Sequence, residues 1–517
     1  MLKEGKICRH ITYAQMGRRA LQLGLCLKKL GVENGGRVLL LSENCPEWPV
    51  AYFGIAFAGA VSVPMLTGFS TEQIQHIARH SGVCAVCISR VMAERVNLSP
   101  ASASGVPFVF IDSISDDEIS VYVDGTEKRE ALAFHEEDAA YPQINEDDLA
   151  TIIYTSGTQG NSKGVMLSGK NLISSAISSL TFVKLFPNDR MLSVLPLAHS
   201  YECGLGLIAP VLSGASVTYL DKPPSPSVLL SAFNILRPTA IVTVPLLIEK
   251  IYNNTIAPKL CANRLYKFPL TRPLAIRFAG RKLMSALGGC IRFFGIGGAP
   301  LSPEVEKFLY QARFPYSIGY GLTEASPLIA GNSPLRFKLR SGVCAPNGVM
   351  VRVAKYAANA GAGEGEIQVR GPNVMLGYYN DEERTKEAFT ADGWLRTGDL
   401  GRLEKKGRLH IRGRIKALIL GPSGENIYPE EIEGLLGSSR LVEDALVYSG
   451  EKGELVAIVR LSDAAKAAAG AMECALEELR SWTNKKLAVF SHLSRIEIRH
   501  EPFEKTPTMK IKRYLYV

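Results

Sequence analysis

The chain has 517 residues, and at roughly 150 residues per domain its length points to about three units. Hydrophobic residues make up 46% and charged residues 21%, an ordinary globular composition that excludes a disordered chain, a collagen and a coiled-coil rod. The net charge of +9, from 59 basic and 50 acidic residues, is small for this length; it allows anionic ligands or an acidic membrane surface and does not mark a nucleic-acid binder.

Taken in chain order, the first half alternates helical and strand patterns. Ala14 to Leu30 reads as a helix with Leu21, Leu25 and Leu30 on or near one face. Arg37 to Ser42 reads as a strand. From Trp48 to Phe69 no residue is charged, a length sufficient for a bilayer. Pro49, Gly54, Gly59 and Pro64 interrupt it, so it reads as a buried helix to about Ala60 followed by a strand at Val61 to Val63. A helix near Glu72 to His80 and a strand from Val83 to Ser89 follow. Ser99 to Asp148, polar and acid-rich, reads as loops and an exposed connection. Further strands are expected at Thr151 to Thr155, Met191 to Leu195, Val217 to Leu220, Ala240 to Val244 and Ile291 to Ile296. Short apolar strands separated by helices imply layered α/β structure with largely parallel pairing.

After about Gly342 the texture changes to short strands at Val349 to Lys355, Glu366 to Arg370, Leu400 to Leu403 and Leu409 to Arg412, with a hairpin turn at Lys405-Lys406-Gly407. The fold class expected is α/β: a large N-terminal domain (1–412) of layered α/β subdomains with a small β-rich subdomain (about 343–412), and a small, mobile α+β C-terminal domain (417–517) beyond a hinge at 413–416. From Gly413 onward fifteen basic residues balance fifteen acids, so the whole positive excess lies upstream.

The ten cysteines are scattered, which does not fit a disulfide scaffold and favours reduced thiols in a cytoplasmic protein. The one close pair, Cys84 and Cys87, lies in an apolar run without the second pair a zinc site needs, and reads as buried strand. Lys3, Glu4, Lys6 and Arg9 precede no apolar core, so no secretory leader is expected. Between Ile251 and Cys290 stand seven basic residues and no acid. This stretch is a candidate contact with anionic lipid at the inner face of a membrane. A solvated face or a contact with phosphate groups of a ligand would read the same.

Chemistry concentrates in a few loops. Thr155-Ser156-Gly157-Thr158-Gln159-Gly160-Asn161-Ser162-Lys163-Gly164 directly follows a strand. Its glycines let backbone amides approach phosphate oxygens, and its hydroxyls and lysine add donors and charge. It lacks the Gly-Lys-Ser/Thr triplet of a Walker A loop. Gly160 to Gly164 fits the GxSxG pattern of serine hydrolases, but its Ser162 sits at no evident strand-to-helix elbow. Gly319-Tyr320-Gly321-Leu322-Thr323-Glu324 combines a free backbone with an aromatic face, a hydroxyl and a carboxylate suited to Mg²⁺; alone it could be a turn. Gly295 to Pro300 departs from a dinucleotide fingerprint because Pro300 takes the place of the last glycine.

In order along the chain, these loops, with Leu195-Pro196-Leu197-Ala198-His199, Gly297 to Leu301, Gly365 to Gly371, Thr397-Gly398-Asp399, Gly413-Arg414, Gly424 to Glu433 and Pro507 to Arg513, resemble the adenylate-forming (AMP-binding) superfamily. The ending and the run Arg370 to Tyr379 are most similar to bacterial long-chain fatty-acid CoA ligases. The resemblance implies an ATP-dependent acid–thiol ligase that makes acyl-AMP and pyrophosphate, then passes the acyl group to coenzyme A. It implies that Thr155, Ser156, Gly157, Thr158 and Lys163 cradle the pyrophosphate side of ATP. Gly298, Ala299 and Tyr320 would hold adenine, and Asp399 and Arg414 the ribose. Thr323 would meet the α-phosphate, Glu324 the Mg²⁺, and His199 the acyl carboxylate. Lys416 falls at the hinge, Gly424 beside the pantetheine arm of coenzyme A, and Lys510 at the catalytic lysine. Gln159, Ser162 and Ala417 depart from the usual threonine, proline and acid at their places. A long- or medium-chain fatty acid is the implied substrate, with Tyr201 to Ile208 and Val244 to Ile248 as candidate tunnel walls. The alternative is adenylation of an amino or aryl acid for a carrier protein, although His199-Ser200-Tyr201-Glu202 lacks the usual Asp for an ammonium group and no carrier domain follows Lys510.

Overall fold

The structure is a computed structural model. It describes residues 1–517 except 4–5, 8, 97–104, 124–125, 132–142, 156–161, 223, 356–362, 421–425, 440, 451–452, 463–471 and 507–509. The chain divides into two compact units: residues 1–242, 322–328 and 372–387 form the first, and residues 243–321, 329–371 and 388–517 the second.

The first unit is built on a sheet of nine described strands. Its centre is Arg37–Leu41, paired in parallel with Val61–Pro64 on one side and Val83–Ile88 on the other. Val83–Ile88 pairs in parallel with Phe108–Phe110, and Ser62 of Val61–Pro64 with Thr151 of Leu149–Thr155. Both margins are antiparallel. On one, Lys163–Ser168 joins Leu149–Thr155 and then Gly377–Tyr378; on the other come Glu118–Val123 and Thr126–Ala131. The expected loop region from Ser99 to Asp148 therefore contributes three strands, of which Thr126–Ala131 is the sheet edge. Phe108-Val109-Phe110 is too short to announce itself, and Thr-Glu-Lys-Arg-Glu-Ala at 126–131 carries the charges with which an edge strand resists pairing with another chain.

The first helix, Tyr13–Lys29, starts at a capping box in which Thr12 and Gln15 satisfy each other's backbone amides. Its buried face is Leu23, Gly24 and Leu27, not Leu21 and Leu25. Leucines at 21, 23, 25 and 27 leave the helical phase ambiguous, and close packing selects it. A Cβ on Gly24 would lie 3.0 Å from the carbonyl oxygen of Gly54, and one on Gly54 2.7 Å from Leu23. The uncharged stretch from Trp48 lies within the helix Glu47–Phe57 and then the strand Val61–Pro64. Among the described residues no helix is long and apolar enough to cross a membrane.

In the second unit Phe293–Ile296 and Tyr316–Gly321 pair in parallel. Val343–Cys344, Arg408–Arg414, Leu395–Leu403, Glu364–Arg370 and Met350–Ala354 follow one another as an antiparallel run, the expected β-rich region. The turn at Lys405–Gly407 closes as expected, with the Gly407 amide on the Glu404 carbonyl at 2.9 Å. Toward the C-terminus, Val442–Ser449, Leu455–Leu461 and Leu493–Arg499 form a three-stranded sheet. Its apolar core includes Ile432, Leu436, Val447, Leu455, Leu479 and Leu493.

Candidate active site

In the first unit, Thr155 ends one strand and Lys163 begins the next, and the two are cross-strand partners. The glycine- and hydroxyl-rich segment thus leaves and returns at one point on the sheet. Ser156, Gly157, Thr158 and Gln159, like Gly160 and Asn161, lie outside the described residues. Gly164 lies beneath the loop's return, where a Cβ would come within 2.9 Å of Ile152 and 3.1 Å of Tyr154.

Lys163 extends over the ring of Tyr378, its Nζ 4.7 Å from the centroid. The Tyr378 hydroxyl donates to Glu324 Oε1 at 3.0 Å. Burial, then the charge of Glu324, holds that phenol above its ordinary range, so it stays a donor at neutral pH. Glu324 sits in the short turn Thr323–Ala325, whose Glu324 carbonyl accepts the Met375 amide at 2.9 Å. Thr323 Oγ1 lies 3.3 Å from Ser200 Oγ. His199, the preceding residue, is half-buried, and its Nδ1 accepts the Tyr201 amide at 3.2 Å. The fold therefore gathers a lysine, a carboxylate and a buried hydroxyl near the mouth of the glycine-rich loop. Tyr378 and Ser200 were not among the expected site residues. Tyr378 lies in the run Arg370 to Tyr379, but only its pairing beside Lys163–Ser168 places it over the lysine.

Directly beyond Ser200, residues Glu202–Ile208 wind as a π-helix, and Glu202, Cys203, Gly204, Gly206, Leu207 and Ile208 are buried. Glu202 has no exposed surface, and among the described residues neither carboxylate oxygen has a hydrogen-bond partner. Burial pushes its carboxyl up to about 8; the Ser193 hydroxyl and Leu195 backbone, outside bonding geometry, offset only part of this.

In the second unit, Asp399 is buried on Leu395–Leu403 with both oxygens engaged. Tyr320 donates to Oδ2 at 2.7 Å, and Arg414 Nε lies 3.2 Å from Oδ1. The register Asp399↔Arg414 across the two strands fixes the second contact. Burial, then the Asp399 charge, raises the Tyr320 phenol well above its ordinary range. Gly298 and Ala299 are exposed just beyond Phe293–Ile296, and Gly298 has φ +84°, a conformation that favours glycine. Lys416 is exposed in the turn Ile415–Ala417. Lys510 is exposed in the terminal segment, where its carbonyl accepts the Thr506 amide at 2.7 Å and its amide donates to Thr506 Oγ1 at 3.2 Å. Gly424 lies outside the described residues.

The first unit thus brings together a lysine, a carboxylate and two hydroxyls, and the second holds a buried carboxylate with both oxygens engaged. Residues 5–379 match the AMP-binding enzyme family, and the chain belongs to that family. Among relatives, it is 32% identical to a peroxisomal long chain acyl-CoA synthetase 6 of Arabidopsis thaliana, over 97% of this chain and 79% of that protein. It is 28% identical to the long-chain-fatty-acid–CoA ligase FadD15 of Mycobacterium bovis, over 97% of this chain and 90% of that protein. Among solved structures, ATP-bound MatB from Rhodopseudomonas palustris shares the fold, with TM-score 0.76 and 24% identity over 98% of this chain and 92% of that one.

Proposed function

We propose that this protein is an AMP-forming acid–thiol ligase that activates a long- or medium-chain fatty acid for transfer to coenzyme A. In the first step a carboxylate oxygen attacks the α-phosphorus of ATP, the bond to pyrophosphate breaks, and acyl-AMP forms. In the second the thiolate sulfur of coenzyme A attacks the acyl carbon, and AMP leaves with the bonding pair. A free carboxylate is a poor acyl donor because its leaving group would be oxide; AMP is a far better one.

The observation that carries this reading is the set Lys163, Tyr378 and Glu324 at the mouth of the loop that Thr155 and Lys163 close. We assign Thr155, Ser156, Gly157, Thr158 and Lys163 to the departing phosphates. Thr323 is assigned to the α-phosphate and His199 to the acyl carboxylate. Gly298, Ala299 and Tyr320 take adenine, Asp399 and Arg414 the ribose. Lys416 serves the hinge, Gly424 the pantetheine arm and Lys510 the first chemical step. Among the described residues no group of three acidic, histidine or cysteine side chains could enclose a metal. A single carboxylate suits Mg²⁺, which commonly takes one or two carboxylates together with substrate phosphates. Glu324, oriented by Tyr378, fits that need; bound Mg²⁺ would supply charge neutralisation on the phosphates.

The relatives' names support a fatty acid. So does the buried, glycine-containing wall Glu202–Ile208. Each methylene buried in an apolar tunnel contributes about 0.8 kcal/mol, or roughly fourfold in affinity. The test is pyrophosphate release with ATP, Mg²⁺ and a panel of fatty acids, aryl acids and amino acids. We expect kcat/KM to rise roughly fourfold per carbon until the tunnel ends. Equal turnover of acetate and palmitate, or a preference for amino acids, would overturn the substrate assignment.

A further inference from the structure

We propose that the helical hairpin of residues 264–286 docks on the surface of an anionic phospholipid bilayer. The hairpin consists of the helix Arg264–Lys267, a turn, and the helix Arg272–Ala286. The long helix is fastened to the protein by one face only. Ala275, Ile276, Gly280 and Leu283 are buried, and a Cβ on Gly280 would stand 2.6 Å from that of Ala312.

The opposite side is apolar and exposed. Leu265, Phe268, Leu270, Leu274 and Phe278 are all more than half exposed, and Leu270 at the tip reaches 94%. Five large apolar side chains in fourteen residues, none covered, is a patch of the kind that marks an interaction surface. The tip is not a loose loop. Thr271 Oγ1 donates to the Leu265 carbonyl at 2.6 Å, Arg272 Nε to the Tyr266 carbonyl at 3.0 Å, and the Arg272 amide to the Phe268 carbonyl at 2.9 Å. The turn therefore holds Phe268 and Leu270 outward.

Charge selects the occupant. Lys259, Arg264, Lys267, Arg272, Arg277, Arg281 and Lys282 are all exposed, and between Ile251 and Cys290 there is no acidic residue. Among the described residues none of the seven is in an ion pair. Two instead lie against aromatic rings of the same hairpin: Arg272 over Tyr266 at 5.3 Å and Lys282 over Phe278 at 4.8 Å. On the long helix Leu274, Arg277, Phe278 and Arg281 follow one another at helical spacing, so cations flank the apolar stripe. Apolar side chains that enter the acyl boundary, with flanking cations at the level of the phosphates, are the arrangement of an interfacial anchor. A protein partner would need an apolar groove ringed by acids; a bilayer supplies both features without shape complementarity. The surface is also where a fatty acid partitions, so docking would bring the protein to its proposed substrate. The inference itself does not depend on that substrate.

The test is cosedimentation of the full chain with vesicles of phosphatidylcholine alone and of phosphatidylcholine with phosphatidylglycerol. Three proteins are compared: wild type, Phe268→Ser/Leu270→Ser, and Arg277→Glu/Arg281→Glu. We expect binding to the anionic vesicles only, weakened in about 1 M salt, where the screening length falls to about 3 Å. Each double variant should lose about tenfold or more in partition, while pyrophosphate release from a water-soluble medium-chain acid, measured without vesicles, stays at the wild-type rate. The proposal is overturned by absence of binding to anionic vesicles, or by binding that neither variant changes. It is also overturned if either variant breaks up a dimer of the wild type in sedimentation velocity without altering vesicle binding, or if Arg277→Glu/Arg281→Glu raises KM for coenzyme A without altering it. Failure of the soluble-acid assay in the wild type would instead count against the ligase reading.

Discussion

Asp399 illustrates how the fold fixes a single side chain through both of its oxygens. Its carboxylate is buried, which is costly for a charge, and Arg414 and Tyr320 each satisfy one oxygen. In the proposed role the two ribose hydroxyls donate to the same carboxylate, and the Tyr320 ring meets the base. Asp399→Asn keeps the shape but removes the charge that makes these bonds strong. Hydrogen bonds to a charged group contribute about 1.5–3 kcal/mol, so KM for ATP should rise roughly 10- to 100-fold. The check is the ATP dependence of ATP–pyrophosphate exchange. Tyr320→Phe, which loses only the bond to Oδ2, serves as the milder control. An unchanged KM for ATP in Asp399→Asn would remove this carboxylate from nucleotide binding.

Among the elements, the π-helix Glu202–Ile208 is the least ordinary, and it carries a buried acid. A Cβ on Gly206 would lie 2.5 Å from Glu202 Oε1, so the glycine leaves the space in which the carboxyl sits. The Glu202 carboxyl is raised from its ordinary 4.5 to about 8. The native state thus keeps a proton that the unfolded chain releases across that window. Its contribution to stability is fully present below 4.5 and is lost as pH rises through about 8. Each unit of pH across the window should cost about 1.4 kcal/mol through this group. Glu202→Gln, permanently neutral, should flatten that part of the curve in denaturant unfolding from pH 5 to 8. Parallel curves for the two proteins would show that Glu202 is ionised in the native state.

The same elements mark what was readable in the sequence. Arg37–Leu41, Val83–Ile88 and Ala240–Thr243 are short apolar runs buried along most or all of their length, and their pattern exposes them directly. Thr126–Ala131 escaped because an edge strand is polar for the same reason that a loop is, and Glu118–Val123, apolar at its centre, because it stands in an otherwise polar, acid-rich stretch. The face of the first helix was misplaced because four alternating leucines support two phases; contact with Gly54, which no periodicity encodes, decides between them. In the candidate site, residues close in sequence, such as Thr155 and Lys163, were legible as one loop. Tyr378 was not, because its approach to Glu324 and Lys163 depends on a strand pairing between segments more than 200 residues apart. The charge of residues 251–290 was visible in the sequence, whereas the exposure of Phe268 and Leu270 required the fold.

For the whole molecule, the reaction asks more than one stationary site readily provides. The carboxylate must meet the α-phosphate with pyrophosphate leaving, and the thiol must then reach the acyl carbon. We propose that the C-terminal domain, residues 417–517, serves these steps in two orientations about the hinge at 413–416. Its own apolar core supports movement as a body. Lys510 is assigned to the first orientation only. There a lysine beside the α-phosphate and carboxylate would stabilise charge that shifts during attack, and removing such a donor typically costs about 10²- to 10³-fold in rate. The most direct measurement is therefore the two half-reactions of Lys510→Ala, with Lys512→Ala as the neighbouring control. The account predicts that Lys510→Ala loses ATP–pyrophosphate exchange by about that factor, yet converts supplied acyl-AMP and coenzyme A to acyl-CoA at near the wild-type rate, while Lys512→Ala retains both. Equal loss of both half-reactions in a folded Lys510→Ala protein would contradict it.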